Sequence, residues 1–475
     1  MAGIGFELRK FLKEETFLGL IRAYGYAGLI GSGPWVLSIL GIMAIGLLSA
    51  GTLTPTHRVL EFLVSVAYLM AVSLITGSWL QLMLTRFIAD RLFEKSPQRI
   101  LPNLLGTLFV ISALNLLIGV GLSPLFAGQS FAYCFLMVAN LITLGNIWVV
   151  VILLSGVRAH QRILRGFFIG YSATLLMALS FQIYGLVGLL SGLLAGHGLL
   201  FFFLLAAVIR EYPSDQPIAF DFLDARQSFY SLAFTGFFYS LGIWADKFAF
   251  WINPATSETV IGPLRSSFIY DPPAFLAYLS LIPGMAVFLL RMEADFVDRY
   301  DAFYTAVREG GTLDQIRELK AKMIETIRQG LYEIFKVQGL TAIILIVARD
   351  TFMQTFGLSS VHGDLFVILI IAVSVHVLLL AILNVFFYLD KRRIALTLTL
   401  IFALGNIGLT LVSQQLGPAF YGYGVAIAVT LTSVVGLVVL DRKLQCLEYE
   451  TFMLQRQPDH PAPPLAGSGQ ERARR

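Results

Sequence analysis

Asp246 and Lys247 interrupt the apolar and aromatic stretch LAFTGFFYSLGIWADKFAFW at residues 232–251. Charged side chains inside a membrane-spanning helix are costly and usually serve a function. Neighbouring helical residues point about 100° apart, so we do not expect these two charges to pair along the helix. Lys247 shares a helical face with Trp244 and can rest on its ring. Asp246 then needs a partner on another helix or water, which leaves open a structural ion pair or an acidic site in a water-filled path.

Neutral hydrogen-bonding side chains inside other apolar stretches are the next candidates for a substrate path. They are Asn115, Asn140, Asn146, Asn384 and Asn406. Each alone is typical of a contact between helices, whereas together they permit a polar cleft. Such a cleft would hold almost no fixed positive charge, which disfavours a pyrophosphate-bearing lipid substrate, because its phosphates would be held by Arg or Lys.

The sequence lacks the short motifs of the common catalytic sites. It contains no GxxxxGK[ST] phosphate loop, no HExxH, no CxxC, no GxSxG and no Asp-x-Asp pair. Nothing therefore predicts that this chain hydrolyses ATP or holds a metal or cofactor, and no nucleic-acid partner is expected. A membrane enzyme is the less favoured class, and the chain is interpreted as a non-enzyme.

The composition places these candidates in a polytopic α-helical membrane protein. Of 475 residues, 57% are hydrophobic and only 13% charged, against about 25% charged in soluble domains. A span needs about 20 mostly apolar residues. Twelve stretches qualify: 27–50, 60–85, 103–123, 131–154, 164–182, 186–209, 228–251, 273–290, 331–349, 365–389, 394–413 and 419–440.

The distribution of basic residues gives the orientation. With a cytoplasmic N-terminus, 30 of the 34 Lys and Arg residues fall in cytoplasmic segments; the others are Arg58, Lys247, Arg265 and Arg349. This asymmetry predicts both termini on the cytoplasmic side. Charges spread through the first 22 residues argue against a cleaved signal peptide. Cys134 and Cys446 should lie near opposite membrane faces, so no disulfide is expected between them.

The twelve spans divide into two halves around the polar segment 210–227. We predict an N-terminal six-helix lobe at 27–209 and a C-terminal lobe at 228–440, related by an axis along the membrane normal. Residues 1–26 are predicted to include an amphipathic helix at the inner interface. Residues 441–475 form a cytoplasmic tail, with disorder expected from Pro458 because Pro, Gly and Ser dominate there.

The cytoplasmic insertion 291–330 contains a predicted helix that runs into the ninth span. Thr312 and Gln315 have the spacing of a capping box, and Glu318 and Lys322 form an i,i+4 pair. Apolar residues recur on one face of this helix: Ile316, Leu319, Met323 and Ile327. This stripe either packs the helix onto neighbouring loops or docks a cytoplasmic partner such as a polymerising enzyme.

The first span opens with glycines and a proline in AYGYAGLIGSGPW. Gly25, Gly28 and Gly31 lie near one helical face, where small residues let another helix approach closely. Gly33 and Pro34 follow them, and Pro34 removes a backbone hydrogen bond. Close packing and a functional bend are both consistent with this pattern.

Six stretches resemble the PelG family of exopolysaccharide transporters, within the MOP exporters. They are GIGFELRK at 3–10, RAYGYAGLIGSGPWVLSI at 22–39, SGVRAHQ at 155–161, FYSLGIWADKFAFW at 238–251, MEADFVDRYDAFY at 292–304 and NVFFYLDKRR at 384–393. The resemblance implies a MOP flippase-like fold of two six-helix lobes, alternating access and a place in the bacterial inner membrane. It further implies a galactosamine-rich, partly deacetylated cargo and an assembly with a cytoplasmic glycosyltransferase and other Pel membrane proteins.

The favoured function is therefore movement of Pel-type polysaccharide from the cytoplasm across the inner membrane, by alternating access or coupled to synthesis. One alternative is a MATE-like, cation-coupled antiporter of small molecules. Another is a membrane scaffold for a polysaccharide synthase that transports nothing. Acids buried in several spans would favour the antiporter, and Asp246 is the one clear example in the sequence.

Overall fold

The computed structural model describes residues 17–50, 57–156, 160–224, 228–359 and 361–453. The predicted interfacial segment 1–26 lies mostly outside them, as does the tail from residue 454. Phe17–Ala50 is one helix, so the described end of the interfacial segment continues into the first span without a break.

The first half of the chain forms six long helices, with bounds close to the predicted spans. They are α1 (Phe17–Ala50), α2 (His57–Phe93), α3 (Ile100–Leu122), α4 (Phe131–Gly156), α5 (His160–Phe181) and α6 (Gly185–Glu211). A single 3-10 turn at Gln182–Tyr184 separates α5 from α6, in the short gap between the predicted spans 164–182 and 186–209.

The second half begins with α7 (Tyr230–Ile252) and a two-stranded antiparallel hairpin, β1 (Glu258–Ile261) and β2 (Leu264–Ser266). The remaining helices are α8 (Asp271–Leu279), α9 (Leu281–Phe288), α10 (Phe296–Arg308), α11 (Leu313–Val347), α12 (Arg349–Thr355), α13 (Val361–Tyr388), α14 (Arg392–Leu416), α15 (Tyr423–Gln445) and α16 (Leu447–Met453). The hairpin was not predicted; Gly262, at φ +52°, supplies its turn.

By length and composition, nine stretches of the described chain can cross a membrane. One of them, 162–211, contains both α5 and α6. Two further long apolar helices are α1, which contains Pro34, and α7, which contains Asp246 and Lys247. Counting both, the helices are consistent with the predicted twelve spans. The protein is an α-helical polytopic membrane protein.

The buried apolar side chains group into clusters that largely follow the two lobes. The largest cluster comes mainly from residues 250–447; from the first half Ala27 is buried in it, and Tyr24 and Tyr26 pack against it. Two further clusters are formed by residues 45–233, joined by Ile261 and Leu264 of the hairpin. The helices of each half therefore build their own core, as the predicted two-lobe architecture requires.

The packing of the helices repeats between the halves. In the N-terminal lobe α1 packs on α5, α2 on α4, and α6 on both α4 and α5. In the C-terminal lobe α7 packs on α14, α8 and α9 on α13, and α15 on both α13 and α14. Each pair occupies the corresponding place in its half, which supports the internal repeat that the sequence shows only faintly.

The two lobes contact each other through their first two spans: the first span of each lobe packs against the second span of the other lobe. α1 packs on α9 of the eighth span, and α7 packs on α2. Both contacts use a glycine: a Cβ at Gly28 would lie 3.5 Å from Ala286 Cβ, and one at Gly236 would lie 2.2 Å from the Ser78 carbonyl oxygen. The predicted close packing therefore occurs at Gly28, whereas Gly25 faces open space.

The eighth span differs most from its prediction of 273–290. It is broken at Ser280 between α8 and α9, and then passes through a π-helical segment, Leu289–Asp295, into α10. Pro283 lacks the N–H that would bond to the Leu279 carbonyl, and Gln338 Nε2 donates to the neighbouring Ser280 carbonyl at 2.9 Å. The start of the predicted insertion 291–330 continues this helix to Arg308.

The insertion helix exists, but its apolar stripe is not free. α11 runs from Leu313 to Val347, and the Gln315 backbone N–H donates to Thr312 Oγ1 at 3.3 Å. Ile316, Met323 and Ile327 are buried in the C-terminal core, and Leu319 packs against it. The predicted docking face is therefore wrong for this fold, because the chain itself covers the stripe. Cys134 and Cys446 are both free, as expected.

Candidate functional site

Asp246 and Lys247 form the centre of an enclosed polar cluster in the C-terminal lobe. Lys247 Nζ lies 3.1 Å from both carboxylate oxygens of Asp246, and it also donates to the Ile243 carbonyl at 3.0 Å. Their exposed fractions are 1% for Asp246 and 9% for Lys247. The prediction that these neighbours would not pair is wrong, because the lysine stem is long enough to bring the ammonium group back.

Other elements of the same lobe complete the cluster. The Tyr270 hydroxyl donates to Asp246 Oδ2 at 2.5 Å, and Asn406 Nδ2 on α14 lies 3.4 Å from Oδ1. Lys247 Nζ lies 4.6 Å from the ring centre of Tyr278 and 5.9 Å from that of Trp244. The predicted Lys247–Trp244 contact is thus present, but the tyrosine ring is closer.

A second buried polar pair lies beside this cluster. Tyr239 on α7 and His376 on α13 are joined by a 3.0 Å hydrogen bond, and their rings stack at 5.6 Å. Together with Asp246, Lys247 and Asn406, they connect α7, α13 and α14 through polar atoms. Such a network, with its partners satisfied, fixes the relative positions of the helices.

The predicted asparagines do not form one cleft. In the N-terminal lobe, Asn115 accepts from Thr76 Oγ1 at 2.8 Å, Asn140 donates to the Leu190 carbonyl at 3.1 Å, and Asn146 donates to Ser112 Oγ at 2.8 Å. Each bond joins two helices of that lobe. These three residues therefore connect helices, and only Asn406 belongs to the cluster around Asp246.

Asn384 contacts a buried carboxylate, Glu293, which lies within the predicted cytoplasmic insertion 291–330. Its Nδ2 donates to Glu293 Oε1 at 2.7 Å, and the Tyr388 hydroxyl donates to Oε2 at 2.9 Å. Glu293 is 3% exposed and lies in the π-helical segment. Its flanking apolar residues Leu289, Leu290, Met292 and Phe296 continue the helical pattern, and that continuity is the signal that could have placed it inside the span.

A cation in the same π-helical segment already has acidic partners. Arg291 makes a bidentate contact with Glu333 on α11, at 2.5 and 2.9 Å, and Nη1 lies 2.6 Å from Asp295. Glu293 instead receives its hydrogen bonds from the neutral groups of Asn384 and Tyr388. π-Helical segments occur often at functional sites, so Glu293 joins Asp246 as a candidate for binding a proton or cation.

An apolar groove lies between α7 and α14. Leu241, Ala245, Phe248, Ile407 and Leu411 line it, with Asn253 and Gln414 at one end. Asp246 follows Ala245 in sequence but points into the lobe, away from the groove. Among the described residues, no three His, Cys, Asp or Glu side chains converge as a metal site.

Comparison with known proteins matches this chain to one family over nearly its whole length. The family model described as PelG, putative exopolysaccharide exporter, covers residues 1–452. No curated protein sequence matches.

Solved structures share the fold at low sequence identity. A MOP superfamily transporter from Pyrococcus furiosus superposes with a TM-score of 0.62 at 14% identity, covering 89% of this chain and 95% of its own. An outward-facing multidrug resistance MATE family transporter gives 0.61 at 13% identity, with coverages of 89% and 95%. A MATE protein in its straight conformation gives 0.61 at 12%, with coverages of 90% and 96%. The fold is therefore that of the MOP superfamily.

Proposed function

Because the chain belongs to the PelG family of putative exopolysaccharide exporters, we propose that it moves Pel-type polysaccharide from the cytoplasm across the bacterial inner membrane. The cargo is a galactosamine-rich, partly deacetylated polymer. A cytoplasmic glycosyltransferase and other Pel membrane proteins deliver it to this chain. Both termini lie in the cytoplasm, on the side where 30 of 34 basic residues are placed.

The reciprocal junction of the two lobes is the observation that carries this proposal. The spans of the two lobes contact each other through the pairs α1–α9 and α2–α7, while each lobe keeps its own core. Lobes with this arrangement can rock as rigid bodies, so that a path between them opens on one side and then the other. Each large cluster is built mainly from one lobe, apart from a few members such as Ala27, Ile261 and Leu264, so most of each core can stay intact during such a motion.

The enclosed cluster around Asp246 contributes to this cycle by keeping the C-terminal lobe rigid. It ties α7, which contacts the other lobe, to α14 and to Tyr270. The rings of Tyr278 and Trp244 flank the Lys247 ammonium group, with ring centres 4.6 and 5.9 Å from Nζ. Candidates for contact with cargo are therefore Trp244 and Lys247, with Asp246 holding the lysine.

Transport is tested with inverted inner-membrane vesicles that contain this chain and the polymerising enzyme. Newly made galactosamine polymer is expected to become resistant to an added glycosidase, because it enters the vesicle lumen. Vesicles with the enzyme but without this chain are the control. Polymer that stays fully sensitive in both preparations would contradict the transport function and favour a scaffold.

A second candidate, cation-coupled antiport of small molecules, is favoured by one specific observation. Two carboxylates, Asp246 and Glu293, are enclosed within the C-terminal lobe, and among the described residues Glu293 accepts its hydrogen bonds from the neutral side chains of Asn384 and Tyr388. In vesicles without polymerising enzyme, an imposed proton or sodium gradient should then drive uptake of a cationic dye. Absence of such uptake, alongside polymer transport, would separate the two functions.

A further inference from the structure

The β-hairpin connects α7 to α8, yet its apolar face lies on the other lobe. Ile261 and Leu264 are buried in the N-terminal core cluster that also contains Phe62 and Tyr133. At the tip, Gly262 lies against the loop between α3 and α4: a Cβ there would be 3.2 Å from the Phe126 ring and 3.8 Å from Gln129 Cγ. The hairpin therefore bridges the lobes at one end of the bundle.

Tyr68 on α2 binds the hairpin backbone directly. Its hydroxyl donates to the Arg265 carbonyl at 3.1 Å and accepts from the Arg265 N–H at 3.3 Å. The ring of the same tyrosine stacks on Trp251 at 4.4 Å, and Phe248 packs edge-on against it at 6.3 Å. One N-terminal residue thus contacts both the hairpin and the end of α7.

The hairpin is held rigidly to the C-terminal lobe. Asp271 at the start of α8 accepts from Ser266 Oγ, the Ser267 N–H and Trp251 Nε1, each at 2.9 Å. The Arg265 side chain donates to Ser257 Oγ at 2.8 Å and to Thr259 Oγ1 at 2.7 Å, which links the two strands. When the C-terminal lobe rotates, the hairpin must therefore move with it and slide or lift off the N-terminal lobe.

We propose that residues 258–266 and Tyr68 form a latch that closes the exit side of the transport path. This proposal rests on the proposed function, since a latch acts only if the lobes part during transport. With the basic segments in the cytoplasm, the hairpin lies on the opposite side, where cargo leaves. Opening requires that the Tyr68–Arg265 hydrogen bonds break and that Ile261 and Leu264 leave the N-terminal core.

A reversible cross-link tests whether the latch must open. In a Cys134→Ala/Cys446→Ala background, Gln129→Cys and Pro263→Cys are joined by a cleavable bis-maleimide. Export of polymer is expected to stop after cross-linking and to return after cleavage. The matched control treats the same variant with N-ethylmaleimide, which modifies both thiols without joining them and should leave export largely intact. Full export by quantitatively cross-linked protein would overturn the latch.

A second measurement does not depend on the identity of the cargo. Spin labels at Ala127 and Thr259, both exposed, report the distance between the lobes at this end in nanodiscs. Tyr68→Phe keeps the stacked ring and removes the hydrogen bonds to Arg265, so the long-distance population is expected to rise about fivefold. An unchanged distribution would overturn the role of Tyr68. If polymer transport fails while this shift occurs, the cargo assignment is wrong and the latch stands.

Discussion

Lys247 Nζ lies 3.1 Å from both oxygens of the adjacent Asp246, and this pair of charges is enclosed within the C-terminal lobe. Removing one member of an enclosed pair leaves the other without compensation, whereas replacing both by neutral groups can be nearly harmless. Substituting one member of this pair should therefore reduce protein stability, whereas substituting a residue that only contacts cargo should reduce export without reducing stability.

Asp246→Asn is expected to lower protein abundance and to reduce the unfolding free energy by about 3–5 kcal/mol, because Lys247 is left unpaired. Asp246→Asn/Lys247→Met should recover most of that loss. Thermal unfolding in detergent, followed by size-exclusion chromatography, measures both variants. Normal stability of the single variant together with reduced export would instead assign Asp246 to the transport path.

Much of this fold could be predicted from apolar length and the distribution of basic residues, because both are properties of contiguous sequence. The break in the eighth span could not be predicted, since it depends on which side chain donates a hydrogen bond to the backbone carbonyl at the break. Gln338, 58 residues after Ser280, supplies that hydrogen bond. The burial of Glu293 could not be predicted for the same reason: it depends on Asn384 and Tyr388, which lie more than 90 residues further along the chain.

The candidate site shows the same limit at the level of single side chains. The sequence places Asp246, Lys247 and Trp244 together on α7. The angle of about 100° between neighbouring helical residues, however, wrongly predicts that the two charges do not pair. Side-chain length, not backbone direction, decides that contact. The stripe on α11 was correctly identified as apolar, but periodicity alone does not distinguish a face that awaits a partner from one the chain already covers.

The buried stripe gives a second prediction. Met323→Ala is expected to cost about 2–5 kcal/mol of unfolding free energy, since Met323 is fully enclosed between α11 and the rest of the lobe. Ala321→Glu, on the exposed face of the same helix, is the matched control and should change stability little. Loss of partner binding in Met323→Ala with unchanged thermal stability would restore the docking interpretation.

Glu293 gives a third prediction, which separates a structural from a coupling role. Glu293→Ala strands the donors of Asn384 and Tyr388 and should cost roughly 1–3 kcal/mol for each donor left without an acceptor. Glu293→Gln keeps an acceptor and should be close to wild type in thermal stability. Reduced export by Glu293→Gln at normal stability would indicate that the carboxylate binds a proton or cation, whereas normal export would confine it to structure.

The orientation gives a fourth prediction. Reporter fusions after Asp215, Arg308 and Arg393 should all read cytoplasmic, because each follows or lies within a basic segment. A fusion at Gly128, in the loop that the hairpin contacts, should read on the opposite side. A single reversed reporter would contradict the twelve-span topology and with it the placement of the latch on the exit side.

Glu450 gives a prediction about pH at the other end of the bundle. Partial burial alone would raise the pKa of this carboxyl, but hydrogen bonds from Lys391 and Lys443, each at 2.5 Å, lower it below its usual value of 4.5. A lowered pKa in the folded state means that stability is present above about pH 4.5 and lost as pH falls through the folded value. Between pH 6 and pH 3.5, the melting temperature should therefore fall further in wild type than in Glu450→Gln. Equal falls would show that the two lysine contacts contribute nothing to holding α16 against α15 and the α13–α14 turn.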